Sequence, residues 1–377
     1  MPSKHAVLSA SSSARWIACP PSARLNQAEE ESPSEYAIEG TCAHSLAEYK
    51  AKRNLGLPAK DPTEDLTIYN QEMEECTEDY ANFILELFQE AKEECKDPIA
   101  QIELQLELSR WIPDGFGTAD CVIVSDRTLW ITDLKYGSVL VDADHNSQLM
   151  SYALGAWNVY ETLYDIERVV LTIYQPRRSH ISSFEISVQE LLTWGEKVLK
   201  PAALLAFKGE GDLSAGPHCR FCRVKATCRA RAEKNLELAK YDFKDPEQLE
   251  DEEIDDVLGR SEEFTSWISD VKDYALSQAL KGKRWPHHKL VAGRSVRKYT
   301  DDRLVAQVVE NAGYDPYEKK LLGITAMTKA LGKKKFEELL KGLVTKPPGK
   351  PTLVSERDKR PEINVNSAKE DFKERPV

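Results

Sequence analysis

The sequence predicts a mixed α/β fold, a central sheet flanked by helices. Two observations carry this. The hydrophobic period changes from helical to alternating near residue 100 and returns to helical near residue 144. The resulting order is helix, three strands, helix, strand, which is the order of a mixed sheet covered by helices. A third observation bounds the size: 377 residues, 41% of them hydrophobic, can bury a sizeable core and divide into two or three domains.

Residues 1–34 read as an irregular lead with a short helix over Ser12–Leu25. Helices follow over Tyr36–Asn54 and Leu66–Glu94, the second with Tyr80, Phe83, Ile84 and Leu87 on one face. Ile102, Leu104, Leu106 and Leu108 then alternate with Glu103, Gln105 and Glu107, the pattern of a half-buried strand. Asp114-Gly115 marks a turn, and strands follow over Ala119–Val124 and Thr128–Leu134. From Asp144, Leu149, Tyr152, Ala153, Ala156, Trp157 and Tyr160 recur at helical spacing. Two further strands are expected over Val169–Tyr174 and Ile181–Ile186, then a helix over Val188–Phe207.

Residues 242–256 are acidic and contain Pro246, as a spacer would, and a long amphipathic helix follows with Phe264, Trp267, Ile268, Val271 and Tyr274. After Gly293 come short helices, one capped by Thr300 and running through Val309, others over Thr325–Leu331 and Lys334–Leu343. The tail from Pro347 is polar and reads as extended. The expected division is therefore 1–240, a spacer with the long helix over 241–293, a helical module over 294–346, and a tail over 347–377.

The net charge of −12 excludes a generally basic nucleic-acid coat. Basic residues are concentrated instead, in Arg220, Arg223, Lys225, Arg229, Arg231 and Lys234, and again between Lys281 and Lys298. Either cluster suits phosphate contact or a solvated face. No apolar run is long enough to span a bilayer, and Met1–Ser13 lacks the pattern of a secretory signal. A cytoplasmic protein, without a membrane partner, is expected. Its eight cysteines then read as ligands before disulfides. Cys42, Cys76, Cys95 and Cys121 lack ligand spacing and read as small core residues.

Asp133 and Lys135 are two apart on a strand and so share a face. Asp120, in Gly117-Thr118-Ala119-Asp120, can reach the same end of the sheet, with Gly117 permitting a tight bend. Two carboxylates suit a hard divalent cation, and a lysine beside them suits a phosphate in hydrolysis. An Asp-x-Lys alone is common on surfaces; Asp120 amid apolar neighbours is what raises it. Gln148 and Tyr152, four apart, share one helix face. His44 is a possible nitrogen ligand for manganese, and Glu107 a further acid, with Glu103 on its face as the competitor.

The series His44, Asp120, Asp133-x-Lys135 and Gln148-x3-Tyr152 resembles the PD-(D/E)XK nuclease superfamily, specifically RecB-like exonuclease domains, over about residues 36–190. The resemblance implies a restriction-endonuclease-like core, with His44, Asp120 and Asp133 as ligands of Mn²⁺ or Mg²⁺ and Lys135 catalytic. Gln148 and Tyr152 would be that family's fourth motif. Ala119 stands where proline is usual, and the acid of the third motif is Asp.

Cys219, Cys222 and Cys228 form a C-x2-C-x5-C segment, and Cys19 beside Pro20 is the natural fourth ligand. Four thiolates suit a zinc ion or a 4Fe–4S cluster; His218 could instead complete a zinc site. The layout resembles iron–sulfur nucleases of the AddB type and CRISPR-associated adaptation nucleases, which implies a 4Fe–4S cluster as a structural staple. Arg220, Arg223, Lys225 and Arg229 would then lie beside a DNA path. The whole chain also resembles a phage and prophage family of RecB-like nucleases, implying a part in DNA recombination beside, for instance, a single-strand annealing protein. No phosphate-binding loop of the G-x4-G-K-[ST] type is present, so unwinding is left to a partner. The competing reading is a non-catalytic DNA-binding or assembly module.

Overall fold

The computed structural model describes residues 6–28, 35–239, 249–292, 299–317, 321–345, 358 and 360–361. Arg294, Arg297, Lys298, most of the expected tail and residues 242–248 of the expected spacer lie outside them. The chain divides into two units, residues 1–278 and 279–377. The first therefore takes in most of the long helix that the sequence assigned to a spacer.

The lead forms two short helices, α1 (Ser13–Ala18) and α2 (Ser22–Gln27), where one was expected. Pro20 and Pro21 explain the break: neither has an amide hydrogen, and the residue before a proline is pushed out of the helical region. Cys19 accordingly has φ −143° and ψ 81°. Trp16 of α1 is fully buried, its indole N–H donating to the Ser9 carbonyl at 3.1 Å.

Helix α3 (Glu35–Asn54) packs on α4 (Gln71–Glu94), whose first turn is capped by Asn70 accepting from the Met73 amide. Lys50, buried on α3, donates to the Glu74 carbonyl at 2.6 Å and pairs with Glu74 and Glu78. A buried ammonium needs this saturation of partners.

Five strands form one mixed sheet in sequence order: β1 (Ile99–Glu107), β2 (Phe116–Val124), β3 (Thr128–Leu134), β4 (Arg168–Gln175) and β5 (His180–Ser187). All neighbours run antiparallel except β3 and β4, which are parallel and joined by the crossover helix α5 (Ser147–Tyr160). Asn146 caps α5 by accepting from the Gln148 and Leu149 amides. One face of the sheet packs on α3 and α4 through Ile123, Trp130 and Leu134 with Tyr80 and Ile84. The other face packs on α5 and the lead through Val122, Leu129 and Ile131 with Trp16, Leu149 and Ala153.

After β5 a helical run comprises α6 (Val188–Trp194), a wide turn over Gly195–Leu199, and α7 (Lys200–Lys208). The cysteine segment follows, then α8 (Arg229–Leu236), which the sequence reading did not anticipate, and α9 (Asp251–Leu280). Buried Arg231 of α8 bonds Glu263 and Asp270 of α9, each at 2.7 Å, which fastens α9 to the first unit. The second unit contains α10 (Asp302–Asn311), α11 (Ile324–Leu331) and α12 (Lys333–Leu339). Asp301, not Thr300, caps α10, accepting from the Arg303 and Leu304 amides.

Candidate active site and cysteine site

The sheet splits where its chemistry is concentrated. The β2–β3 ladder ends at Cys121–Thr132, while the β1–β2 ladder continues to Glu107–Phe116. Beyond the split the Leu134 amide has lost its strand partner. Asp120 Oδ2 replaces it, accepting that N–H at 2.7 Å. An orphaned buried donor is costly, so this bond fixes the Asp120 carboxylate at the fork.

Asp133 and Lys135 lie on the α5 side, as their spacing requires, and pair at 2.7 Å. Gln148 clamps both: its Nε2 donates to Asp133 Oδ1 at 2.7 Å, and its Oε1 accepts from Lys135 Nζ at 3.0 Å. One amide thus orients an acid and a cation. Tyr152, one turn on, places its hydroxyl 3.5 Å from Gln148 Nε2. Its ring fills the space over Gly117, where an added Cβ would stand 2.8 Å from Tyr152 Cε1. Gly117 is therefore needed for ring clearance, which corrects the expectation of a tight bend.

His44 of α3 reaches the fork from the other side, with Nδ1 3.3 Å from Asp120 Oδ2. Glu103 joins them: ligand atoms of His44, Glu103 and Asp120 all lie within 4.8 Å of one another. Glu107 is not in this group. It is exposed near the far end of β1, and this corrects its assignment as the extra acid. The choice of Glu103 has a backbone cause. Glu103 has φ +56°, in the left-handed region that a non-glycine residue enters at a cost of roughly 1–2 kcal/mol. The alternation of β1 breaks there: Ile102 packs toward α3 and α4, whereas Leu104 and Leu106 pack toward α5. No composition or period signal marks that reversal, which is why the sequence left Glu103 and Glu107 unresolved.

The electrostatics follow from burial and proximity. Burial would lower the His44 pKa, but the charge and hydrogen bond of Asp120 raise it to about 9. Burial, and then the Asp120 charge, raise Glu103 to about 7. Burial also pushes Asp133 up, and Asp120 adds to this against the pull of Lys135. Asp120 is held low despite burial, by the charge and hydrogen bond of His44 and by the Leu134 amide. Lys135 is raised: burial opposes its charge, but Asp133 outweighs it. Three acids, an imidazole and an ammonium thus share one fork. The donor set of His44, Glu103 and Asp120, one nitrogen and two carboxylates, fits Mn²⁺ or Mg²⁺. Asp133 stands beside that group rather than in it, engaged with Lys135 and Gln148.

The second site joins the lead to the segment before α8. Cys19, Cys219 and Cys222 are buried, and Cys228, half-buried, stands at the start of α8 without a side-chain capping bond. Three of the four sulfurs receive N–H groups: Cys19 from the Ser214 amide at 3.5 Å, Cys219 from the Gly216 amide at 3.4 Å, and Cys222 from Asn26 Nδ2 at 3.2 Å. His218 Nε2 stands 2.8 Å from the Ser214 carbonyl, and the Cys19 and Cys219 sulfurs beside the ring raise its pKa to about 10. Burial pushes both thiols up, but His218 and the amide donors bring them below the usual thiol value. Amide donors on sulfur and depressed thiol pKa values suit thiolate ligands, and four thiolates are by chemistry a donor set for zinc or a 4Fe–4S cluster, although no three of these sulfurs stand within 4.8 Å of one another. Asn26 was missed from the sequence. It also accepts from the Arg223 amide at 2.7 Å, so one side chain joins α2 to the cysteine segment.

The basic residues beside the cysteines divide. Arg220 and Arg229 are exposed. Arg223 is tied to the Asn26 carbonyl at 3.2 Å, and Lys225 pairs with Asp270 of α9 at 2.7 Å. Lys225 is thus a structural cation, a correction to its expected place on a DNA path. No helix among the described residues is long and apolar enough to cross a membrane.

A solved structure described as the crystal structure of SSO0001 is similar over 56% of this chain and 93% of its own, with 14% identity and a TM-score of 0.23. A family model described as protein of unknown function (DUF2800) matches residues 5–361, and the chain belongs to that family.

Proposed function

We propose that this protein is a divalent-metal-dependent DNA exonuclease with a PD-(D/E)XK-type core, acting in phage-type recombination or DNA processing. The observation that carries the reading is the fork. It sets His44, Glu103 and Asp120 within 4.8 Å of one another beside a Lys135–Asp133 pair held by Gln148. A cation bound there supplies a water of lowered pKa and a counter-charge for the phosphate. Lys135 keeps its proton and presents an ammonium that offsets charge growing on the phosphate oxygens. Asp133 and Gln148 hold that ammonium in place, and Tyr152 walls the fork beside them. At the second site, the four cysteines would hold a 4Fe–4S cluster as a staple between the lead and α8, with structural zinc as the alternative.

The test is digestion of end-labelled linear DNA with Mn²⁺ or Mg²⁺. Wild type should degrade linear DNA and spare closed circles, and Asp133→Ala should lower the rate by about a thousandfold. Wild type and Asp133→Ala equally inert on single and double strands would favour the binding-module reading. Anaerobic preparation should yield about four irons per chain; one zinc and no iron would replace the cluster by zinc.

A further inference from the structure

We infer that the groove beside the cysteine segment binds single-stranded DNA, with Phe221 as the platform on which a base stacks. This rests on the nuclease reading for the identity of the strand as DNA; the groove's own chemistry stands apart from it.

The groove encloses about 560 Å³ between the lead and the cysteine segment. Ser9, Ser11, Ser12, Arg15, Phe221 and Arg223 are among the residues that line it. Among the described lining residues there is no acid, in a chain whose net charge is −12. The Arg15 guanidinium and three hydroxyls suit a phosphodiester backbone. The guanidinium is positioned beforehand: Arg15 donates to the Ser22 carbonyl at 2.8 Å and hydroxyl at 3.1 Å. Phe221 is 75% exposed at the edge of this cationic groove, with the Arg220 guanidinium 5.7 Å from its ring centroid. A backbone-tracking groove with an exposed aromatic is how single strands are held, because an unpaired base offers its face. In a duplex those faces are already stacked.

The experiment is fluorescence anisotropy of full-length protein with labelled oligo(dT) and a blunt duplex of equal length, without divalent metal. Phe221→Ala should weaken oligo(dT) binding about five- to a hundredfold and duplex binding less than about twofold. Phe221→Trp should stay within about twofold of wild type. Arg15→Gln should flatten the salt dependence of oligo(dT) binding by about 0.7 in log–log slope, as for one lost phosphate contact. Unchanged iron content and melting temperature check that each variant is folded. Oligo(dT) binding by Phe221→Ala equal to wild type, or an equal loss for both DNAs, would overturn the proposal. Because no turnover is needed, the two readings fail separately. An inert wild type whose oligo(dT) binding still depends on Phe221 sinks the nuclease alone. Digestion lost in Asp133→Ala, with Phe221→Ala binding intact, sinks the groove alone.

Discussion

The acid fork and the cysteine site are both buried and polar, yet they are built in opposite ways. The fork is compact in sequence: Asp120, Asp133, Lys135 and Gln148 lie within one β–β–α stretch, and only His44 and Glu103 come from before it. Strand ladders and a capped helix fix it. The cysteine site joins residues about 200 apart through turns and six- to eight-residue helices, α2 and α8. Regular structure positions the first; the Asn26 side chain and amide donors on sulfur position the second. On the proposed reading the fork keeps its shape without its cation, and the cysteine site loses its shape without its cluster.

That contrast can be broken most directly at Cys219. Closing a loop of about 200 residues stabilises by roughly 5 kcal/mol on chain-entropy grounds. Cys219→Ser should therefore lower the melting temperature by about 10 °C or more, while Glu103→Gln, which removes a charge that burial and Asp120 disfavour, should leave it nearly unmoved. Equal melting temperatures for the two variants in calorimetry would remove the distinction.

The fork can be sharpened by pH. A cation binds His44 and Glu103 deprotonated, and without it they titrate near 9 and near 7. Mn²⁺ affinity should climb about tenfold per pH unit from 7 to 9, and then level as His44 loses its proton. Titration calorimetry in two buffers of different ionisation enthalpy would count the released protons. A flat profile would take His44 out of the ligand set. Stability of the metal-free protein should move the other way. The His44 value rises on folding from 6.5 to about 9, so its stabilisation is complete below 6.5 and lost as pH rises through 9. Glu103 also rises on folding, from 4.5 to about 7, so its contribution likewise declines as pH climbs through 7.

The smallest of these effects lies at Gln148. Gln148→Ala releases both Asp133 and Lys135 without touching the cation group. The rate should fall about tenfold to a hundredfold, with KM little changed. A loss confined to KM would make Gln148 a DNA-contact residue instead of a clamp.

Much of the fork was legible because it obeys periodic rules. Strand β3 spans the expected residues, Asp133 and Lys135 meet as a spacing of two requires, and Gln148 and Tyr152 share one face of α5. What escaped was set by distant partners. Lys225 and Arg231 read as a basic surface until Asp270, about 40 residues later, is seen opposite them. Glu103 was hidden by one residue of positive φ, which reversed the faces of β1 without leaving a mark in the composition. The break in the lead, by contrast, is written in Pro20-Pro21, two residues without the amide hydrogens that one continuous helix needs.

The Asn26 bridge imposes an order on biosynthesis. Its partners, Cys222 and Arg223, leave the ribosome about 200 residues after it does, a lag of roughly 10–40 s at ordinary translation rates. Once α5 and α7 have emerged, Trp16 and Arg24 hold the lead on them, and the turn around Asn26 alone waits for the cysteine segment. Stalled chains ending before residue 219 should therefore be cut around Asn26 by a protease that spares the finished protein.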